Sequence, residues 1–272
     1  MRERGSAAMA RPARSSSNSS GQVRAGSHWA GPYWERSQRP LEILVLLLPL
    51  VAVYEAGLLL AARPDGGIPV TNLAHRYIHD LFSILGVSGL GPMLPGLLLV
   101  MVLVAWQFLS RRSWSVHWGT VGLMWAESLL LILPLLVFAR LLVGGGIELQ
   151  VASANPDGLF DRVAMGVGAG LYEELVFRWA LVAIVHGVLV DGFKRSHRTT
   201  VFLAVVVSSI AFMLYHPIQT PEGRLLPGLA LFYLGSGVYF SVVYLLRGFG
   251  VVAATHALYD VAVVLLAHSV SG

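Results

Sequence analysis

The sequence predicts an all-α fold: a polytopic bundle of about seven transmembrane helices that follows a disordered N-terminal tail. Of the 272 residues, 56% are hydrophobic and only 12% are charged, and the mean hydropathy is +0.68. Ordinary soluble domains carry about 25% charged residues. Seven apolar runs also approach the roughly 20 residues that cross a bilayer. These observations predict an integral membrane protein, with the lipid bilayer as its first partner.

Residues 1–40 are rich in serine, glycine and arginine and lack apolar periodicity, which is typical of a disordered segment. They carry seven arginines and two glutamates, so the net charge of +4 comes from this tail. The remainder is slightly acidic, and no nucleic-acid partner is expected. A basic tail beside a first span favours the cytoplasmic side. Eighteen arginines against one lysine hint at a GC-rich genome, and therefore at a prokaryotic cytoplasmic membrane.

The predicted spans divide the chain into two parts. Residues 41–160 form three accessory spans, with an interfacial helix in "LAHRYIHDLFSIL", and residues 161–268 form a core of four spans. The loops on the side of the tail contain "SRRS", "FKRSHR" and Arg247, whereas the opposite loops at 144–158 and 215–225 contain only Arg224 as a basic residue. This positive-inside pattern places the C-terminus outside. The spans are expected near 41–62, 92–110, 119–143, 161–190, 199–215, 225–246 and 249–268.

Charged residues interrupt the fourth span in "GAGLYEELVFRWAL". A charge at the bilayer centre costs roughly 2.5–3.5 kcal/mol, so it needs a partner or a purpose. Glu174 and Arg178 share one helical face and are predicted to pair. Glu173 lies about 100° away, without a local counter-ion, and suits a general base; a buried packing network of all three charges is the alternative. The small residues that let a neighbouring helix approach are Gly166, Gly168 and Gly170.

Two later spans carry histidines. "AFMLYHP" ends the fifth span with His216, four residues after Phe212. "THALYD" places His256 and Asp260 on one face of the seventh span. A single histidine in a span is usually a satisfied core residue. Two histidines and an unpaired glutamate in the same part of the chain predict one shared site.

The motifs "EELVFR", "FMLYH" and "HALYD" together resemble the CPBP family, known for CAAX prenyl-protein endopeptidases and for bacteriocin processing and self-immunity. The family pattern is Glu-Glu-x-x-x-Arg, Phe-x-x-x-His and His-x-x-x-Asn or Asp on successive helices. The match covers roughly residues 161–268. The resemblance implies an intramembrane endopeptidase of the glutamate type that cleaves a membrane-tethered protein or peptide.

The resemblance also implies roles by position. Glu173 and His216 would activate the attacking water, and His256 with residue 260 would hold the developing oxyanion. One departure matters, because the prenyl-protein enzymes typically carry Asn at the last position. An ionised Asp260 cannot donate to an oxyanion, so it must be protonated, orient His256 or bind a metal. The residues with implied structural or orienting roles are Glu174, Arg178 and Phe212.

No cofactor is favoured, and zinc is the open alternative. Glu173, His216 and His256 offer nitrogen and oxygen ligands that zinc accepts, but the chain lacks a His-Glu-x-x-His motif. The chain has no cysteine, which excludes thiolate ligands, disulfides and thiol nucleophiles.

The predicted depths of the two histidines in the membrane conflict with the prediction that they share one site. His216 ends its span at the outer side, whereas His256 lies roughly 10 Å from the inner start of its span. A shared site therefore needs an embedded segment at 215–227, an inward-dipping hairpin at 247–250, or tilted spans. A distance of more than about 12 Å between His216 and His256 would contradict the shared site.

Other interpretations remain open. A family member without catalysis would act as a membrane scaffold or immunity factor. Buried Glu and His also occur in proton-coupled transporters, although no internal repeat is present.

"HRYIHD" is a rival metal site at His75 and His79, with an ordinary interfacial helix as its alternative. Glu55 and Glu127 are further carboxylates in spans, which either line the cavity or bond to neighbouring helices.

Overall fold

Apolar helices make up most of the described chain. The structure is a computed structural model that describes residues 33–61, 71–84, 86, 93–144 and 158–271. Within these ranges, six helices are long and apolar enough to cross a membrane, and another apolar helix is shorter, which agrees with a predicted all-α bundle of about seven spans. The helices are α1 (Tyr33–Arg36), α2 (Pro40–Ala61), α3 (Leu73–Ile84), α4 (Leu94–Leu109), α5 (Trp118–Val143), α6 (Leu159–Glu174), α7 (Leu181–Gly187), α8 (His197–Tyr215), α9 (Pro227–Arg247) and α10 (Phe249–Ser271).

The predicted spans coincide with helices to within about three residues at each end. The fourth span is one continuous helical rod, Leu159–Gly192, in which π-helical segments flank α7. The second predicted span corresponds to α4, which has 16 residues and is therefore about 24 Å long. That length is below the roughly 30 Å hydrocarbon thickness of a bilayer.

The predicted tail, residues 1–40, falls outside the described residues except at its end. From Tyr33 the chain is helical, and the Tyr33 hydroxyl donates a hydrogen bond to Glu127 of α5. The Trp34 ring lies 3.9 Å from the guanidinium carbon of Arg247. The prediction of disorder is therefore wrong over the last eight residues of the tail, because α5 and α9 provide polar and cationic partners for them.

The predicted interfacial helix α3 is partly buried. His75 is 2% exposed, and its Nδ1 lies 3.0 Å from the Tyr54 hydroxyl of α2. Burial lowers the pKa of His75 to about 4, so its ring is neutral. His79 pairs with Asp80 at 3.5 Å instead. One face of α3 packs against α6, and the rival metal site at "HRYIHD" is not formed.

The glycines of α6 allow close packing, as predicted. A Cβ atom at Gly170 would overlap the main chain of Ala257 in α10, and one at Gly166 would lie 2.9 Å from the Cβ of Asp260. A Cβ atom at Gly168 would overlap the Tyr54 ring of α2. The backbone of α6 therefore lies directly against α10 on one side and α2 on the other.

Candidate active site

The two adjacent glutamates lie where α6 changes its helical geometry. Glu173 and Glu174 are 4% and 0% exposed, and the π-helical segment Leu175–Ala180 begins directly after them. Such π-helical turns often occur at functional sites. The carbonyl of Phe177 within this segment accepts a hydrogen bond of 2.8 Å from Ser208 of α8. The irregular turn is thus tied to a neighbouring helix.

Arg178 neutralises Glu174, as their spacing predicts. The guanidinium Nη1 lies 3.1 Å from Oε1 of Glu174, and both side chains are fully buried. The guanidinium carbon also lies 4.2 Å from the ring centroid of Phe212 and 5.3 Å from that of Phe240. Cation–π contacts of this kind strengthen when water is excluded. The pair is held in a fixed position between α8 and α9.

Glu173 meets both predicted histidines. Its Oε2 lies 3.5 Å from Nε2 of His216 and 4.0 Å from Nε2 of His256. The two imidazoles therefore approach one carboxylate oxygen and are much closer than the 12 Å limit. Three helices that are distant in sequence converge at this oxygen.

His216 presents a lone pair to Glu173. Its Nδ1 lies 2.7 Å from the carbonyl oxygen of Phe212, which can only accept, so Nδ1 carries the hydrogen. Burial lowers the pKa of His216, which follows the last residue of the α8 span, to about 3. The ring is therefore neutral, with its lone pair at Nε2. A water molecule between His216 and Glu173 would donate one hydrogen to each.

His256 is oriented by Glu174. Its Nδ1 lies 2.7 Å from Oε1 of Glu174, and its Nε2 lies 3.7 Å from Oδ2 of Asp260. A carboxylate accepts, so Nδ1 carries a hydrogen; Nε2 carries one as well only in the imidazolium form. Glu174 thus links Arg178 to His256. The sequence predicted only the arginine partner.

A tight hairpin joins α9 to α10. Gly248 alone separates the two helices and has φ of +80°. Arg247 forms an ion pair with Glu127, which is the tenth residue of α5. The hairpin therefore contacts α5 away from the end of that helix, and a Cβ atom at Gly248 would lie 3.6 Å from Cγ of Gln38, which precedes α2.

Glu55 and Glu127, the two other carboxylates predicted in spans, form hydrogen bonds or ion pairs with neighbouring helices. Glu127 pairs with Arg247 of α9, and the Tyr172 hydroxyl of α6 donates to Oε1 of Glu55 over 3.5 Å. Neither glutamate lines the cavity that contains Glu173.

Sequence reasoning missed the contribution of α9. The His216 ring stacks on Tyr233 with centroids 3.9 Å apart, and the His256 ring stacks on Phe240 at 4.5 Å. Tyr233 and Phe240 are seven residues apart and share one helical face. That spacing in "YLGSGVYF" was the available signal, but α9 carries none of the three motifs.

Tyr215 was also missed. Its hydroxyl oxygen accepts a hydrogen bond of 2.8 Å from the backbone N–H of Ala74 in α3. Its side chain also interacts with Glu173. Because Tyr215 lies inside the motif "FMLYH", its position was visible in the sequence, but its link to α3 was not.

A cavity of about 490 Å³ brings these groups together. In the part of the chain that is described, no group of three or more histidine, cysteine, aspartate or glutamate side chains is arranged to hold a metal ion. The predicted site residues that line the cavity are Glu173, Phe212, His216, His256 and Asp260. The lining residues that sequence reasoning did not include comprise, among others, Tyr215, Tyr233, Ser236, Phe240 and those at 71–73.

Fold and site together define an integral membrane protein with a buried carboxylate–histidine centre between its own spanning helices. Residues 155–262 match the family model described as Type II CAAX prenyl endopeptidase Rce1-like. This match confirms the resemblance to the CPBP family that the three motifs predict. No curated protein and no solved structure matches the chain.

Proposed function

We propose that this protein is an intramembrane endopeptidase in which Glu173 and His216 activate a water molecule. The observation that carries the proposal is the approach of Glu173 Oε2 to two imidazole nitrogens, at 3.5 and 4.0 Å, inside a cavity enclosed by apolar helices. A buried carboxylate beside a neutral imidazole is a suitable base for proton abstraction from water. The family match at residues 155–262 supports peptide hydrolysis as the reaction.

The reaction follows from these positions. The water oxygen bonds to the carbonyl carbon of the scissile peptide while one of its protons passes to Glu173, and the carbonyl oxygen becomes an oxyanion. Glu173 then returns that proton to the amide nitrogen as the carbon–nitrogen bond breaks. The products are a carboxylic acid and an amine. His216, held through Nδ1 by the Phe212 carbonyl, keeps the water in line.

His256 and Asp260 act on the oxyanion side. The imidazolium form of His256 donates from Nε2 to the oxyanion, while Glu174 accepts from Nδ1. Asp260 lies 3.7 Å from the same Nε2 and favours the charged ring. Asp260 thus acts through His256 and does not itself need a proton to donate.

No step of the proposed reaction passes through a metal. Glu173, His216 and His256 are the residues that would hold zinc in the alternative mechanism. Elemental analysis of the purified protein tests this point. Stoichiometric zinc that is lost together with activity in His216→Ala would overturn the metal-free proposal.

The proposed substrate is a membrane-tethered protein or peptide. Six helices of the described residues are long and apolar enough to span a bilayer. We therefore expect a substrate to reach the cavity from lipid or from the membrane surface. We infer that the protein resides in a prokaryotic cytoplasmic membrane with its N-terminus in the cytoplasm. The basis for the prokaryotic membrane is the excess of arginine over lysine, and the basis for the orientation is the arginine-rich tail and the positive-inside distribution of the loops.

The first experiment compares membrane proteomes of cells that carry the wild-type protein, Glu173→Gln or Glu55→Gln at matched levels. Protein termini are mapped by mass spectrometry. Glu173→Gln removes the base while keeping its shape, so one or a few termini are expected to disappear. Glu55→Gln, a second glutamate-to-glutamine change within a span, is expected to preserve them, because Glu55 does not line the cavity.

The result separates the proposed functions. If the termini of wild-type and Glu173→Gln cells coincide under several growth conditions, the protease proposal fails and a scaffold or immunity role becomes the better explanation. A proton-coupled transporter would instead show gradient-driven flux after reconstitution.

A further inference from the structure

Ser236 of α9 is a buried hydroxyl group without a partner. It is 3% exposed, it lines the cavity beside Glu173, and its Oγ has no hydrogen-bond partner. Three other buried hydroxyls in the spans are engaged, because Ser209, Ser241 and Thr255 each donate to the carbonyl four residues earlier. The Thr200 hydroxyl of α8 also has no partner, but Thr200 does not line the cavity. An unmade hydrogen bond on a buried hydroxyl destabilises the fold. Its presence in the cavity wall therefore indicates a partner that enters the cavity.

The position of Ser236 relates it to both histidines. Tyr233 stacks on His216 and Phe240 stacks on His256. Ser236 comes three residues after Tyr233 and four before Phe240, so all three side chains share one face of α9. The hydroxyl group lies on the helical face that supports the two imidazoles.

The proposed chemistry also lacks a neutral donor on the oxyanion side. His256 donates through Nδ1 to Glu174, and its Nε2 donates only when the ring is charged. Asp260, when ionised, is an acceptor only. A serine hydroxyl always carries a hydrogen and rotates to suit its partner.

We propose that the Ser236 hydroxyl donates a hydrogen bond to the oxyanion of the tetrahedral intermediate, as a further catalytic residue. This inference rests on the proposed protease function. The hydrogen bond strengthens as negative charge develops on the carbonyl oxygen, so it stabilises the transition state more than the bound substrate. Removing it should lower kcat and leave KM nearly unchanged.

The test compares Ser236→Ala with Ser241→Ala in the full-length protein reconstituted into liposomes. Ser241 is on the same helix and is 1% exposed, but its hydroxyl already donates to the Gly237 carbonyl. The probe is a synthetic peptide that spans the bond identified by terminus mapping. Ser236→Ala is expected to lower kcat by about 10²- to 10³-fold. Ser241→Ala is expected to keep kcat within about threefold, because its hydroxyl contacts no substrate.

Thermal unfolding of the same samples separates catalysis from folding. Loss of an unpaired hydroxyl should leave the unfolding temperature of Ser236→Ala equal to or above that of the wild type. Retention of kcat within threefold in Ser236→Ala overturns this inference alone, and so does a loss of kcat accompanied by a lower unfolding temperature. Absence of any Glu173-dependent cleavage overturns the proposed function and this inference together.

Discussion

At the scale of single residues, the arrangement depends on one buried chain of contacts that runs from Arg178 through Glu174 to His256. Arg178 lies 3.1 Å from Glu174 Oε1, and His256 Nδ1 lies 2.7 Å from the same oxygen. One carboxylate oxygen thus serves a permanent cation and a titratable ring. This shared oxygen fixes which nitrogen of His256 faces Glu173.

Loss of the cation should be strongly destabilising. Arg178→Met leaves the Glu174 carboxylate fully buried without its permanent counter-ion, and removing one partner of a buried pair costs about 3–5 kcal/mol. The free energy of unfolding, measured by denaturation in mixed micelles, is expected to fall by that amount. Arg140→Met, at an exposed arginine of α5, is the control and should change it by less than about 0.5 kcal/mol.

The double variant Glu174→Gln with Arg178→Met should recover part of the loss, because no uncompensated charge remains. A single variant Arg178→Met that is as stable as the wild type would show that Glu174 is neutral in the folded protein, and would contradict the ion-pair assignment.

At the scale of elements, the close approach of α6 and α10 brings the first and third motifs together. Gly170 of α6 faces Ala257 of α10, and Ala257 directly follows His256. The helices can approach this closely only because residue 170 has no side chain. The distance between Glu173 and His256 therefore depends on a glycine outside all three motifs.

Gly170→Ala should weaken both folding and activity. The added methyl group would overlap the main chain of Ala257, and overpacking of this kind costs about 1–3 kcal/mol. Displacement of α10 also moves His256, so cleavage of the mapped substrate should fall more than tenfold. The measurements are the free energy of unfolding and the cleavage rate.

Gly122→Ala in α5 is the matched control for Gly170→Ala. A Cβ atom there would meet nothing within 4 Å, and alanine favours a helix over glycine by up to about 1 kcal/mol. Stability should be equal or higher and cleavage unchanged. If the two variants behave alike, the close contact between α6 and α10 is not needed for the site.

At the scale of the whole molecule, a cluster around Arg247 joins distant parts of the chain. Arg247 pairs with Glu127 of α5, donates to Ser37 over 3.2 Å and lies over the Trp34 ring. Tyr33 donates to the same Glu127. The segment before the first span is therefore attached to the hairpin that precedes α10 and His256.

The proposed orientation of the molecule can be tested directly. From the positive-inside distribution we expect the connection between α4 and α5 to lie in the cytoplasm and the connection between α8 and α9 to lie outside. Ser113 and Glu222, one in each connection, are both exposed. The chain has no cysteine, so a single introduced cysteine is a unique label. A membrane-impermeant maleimide should label Glu222→Cys in intact cells but Ser113→Cys only after permeabilisation, and the reverse pattern would contradict the proposed orientation.

Local periodicity determined much of this protein from its sequence alone. Composition and run length are enough to locate the spans, because a bilayer requires about 20 apolar residues whatever the partners of a helix. The pairing of Glu174 with Arg178, and the shared face of His256 and Asp260, follow from a four-residue spacing on one helix. The family resemblance rests on the same local patterns.

The tertiary structure decided everything that joins residues far apart in the chain. Some of these features are contacts between different helices: Glu174 with His256, and Tyr233 and Phe240 stacked on the histidines. Others depend on how the helices are placed, namely the unpaired Ser236 hydroxyl and the burial of His75. Periodicity within one helix defines faces, but it does not fix how helices tilt, how deep a hairpin lies or which faces meet. Those relations depend on the packing of the bundle, at contacts such as Gly170 against Ala257 and Arg247 with Glu127.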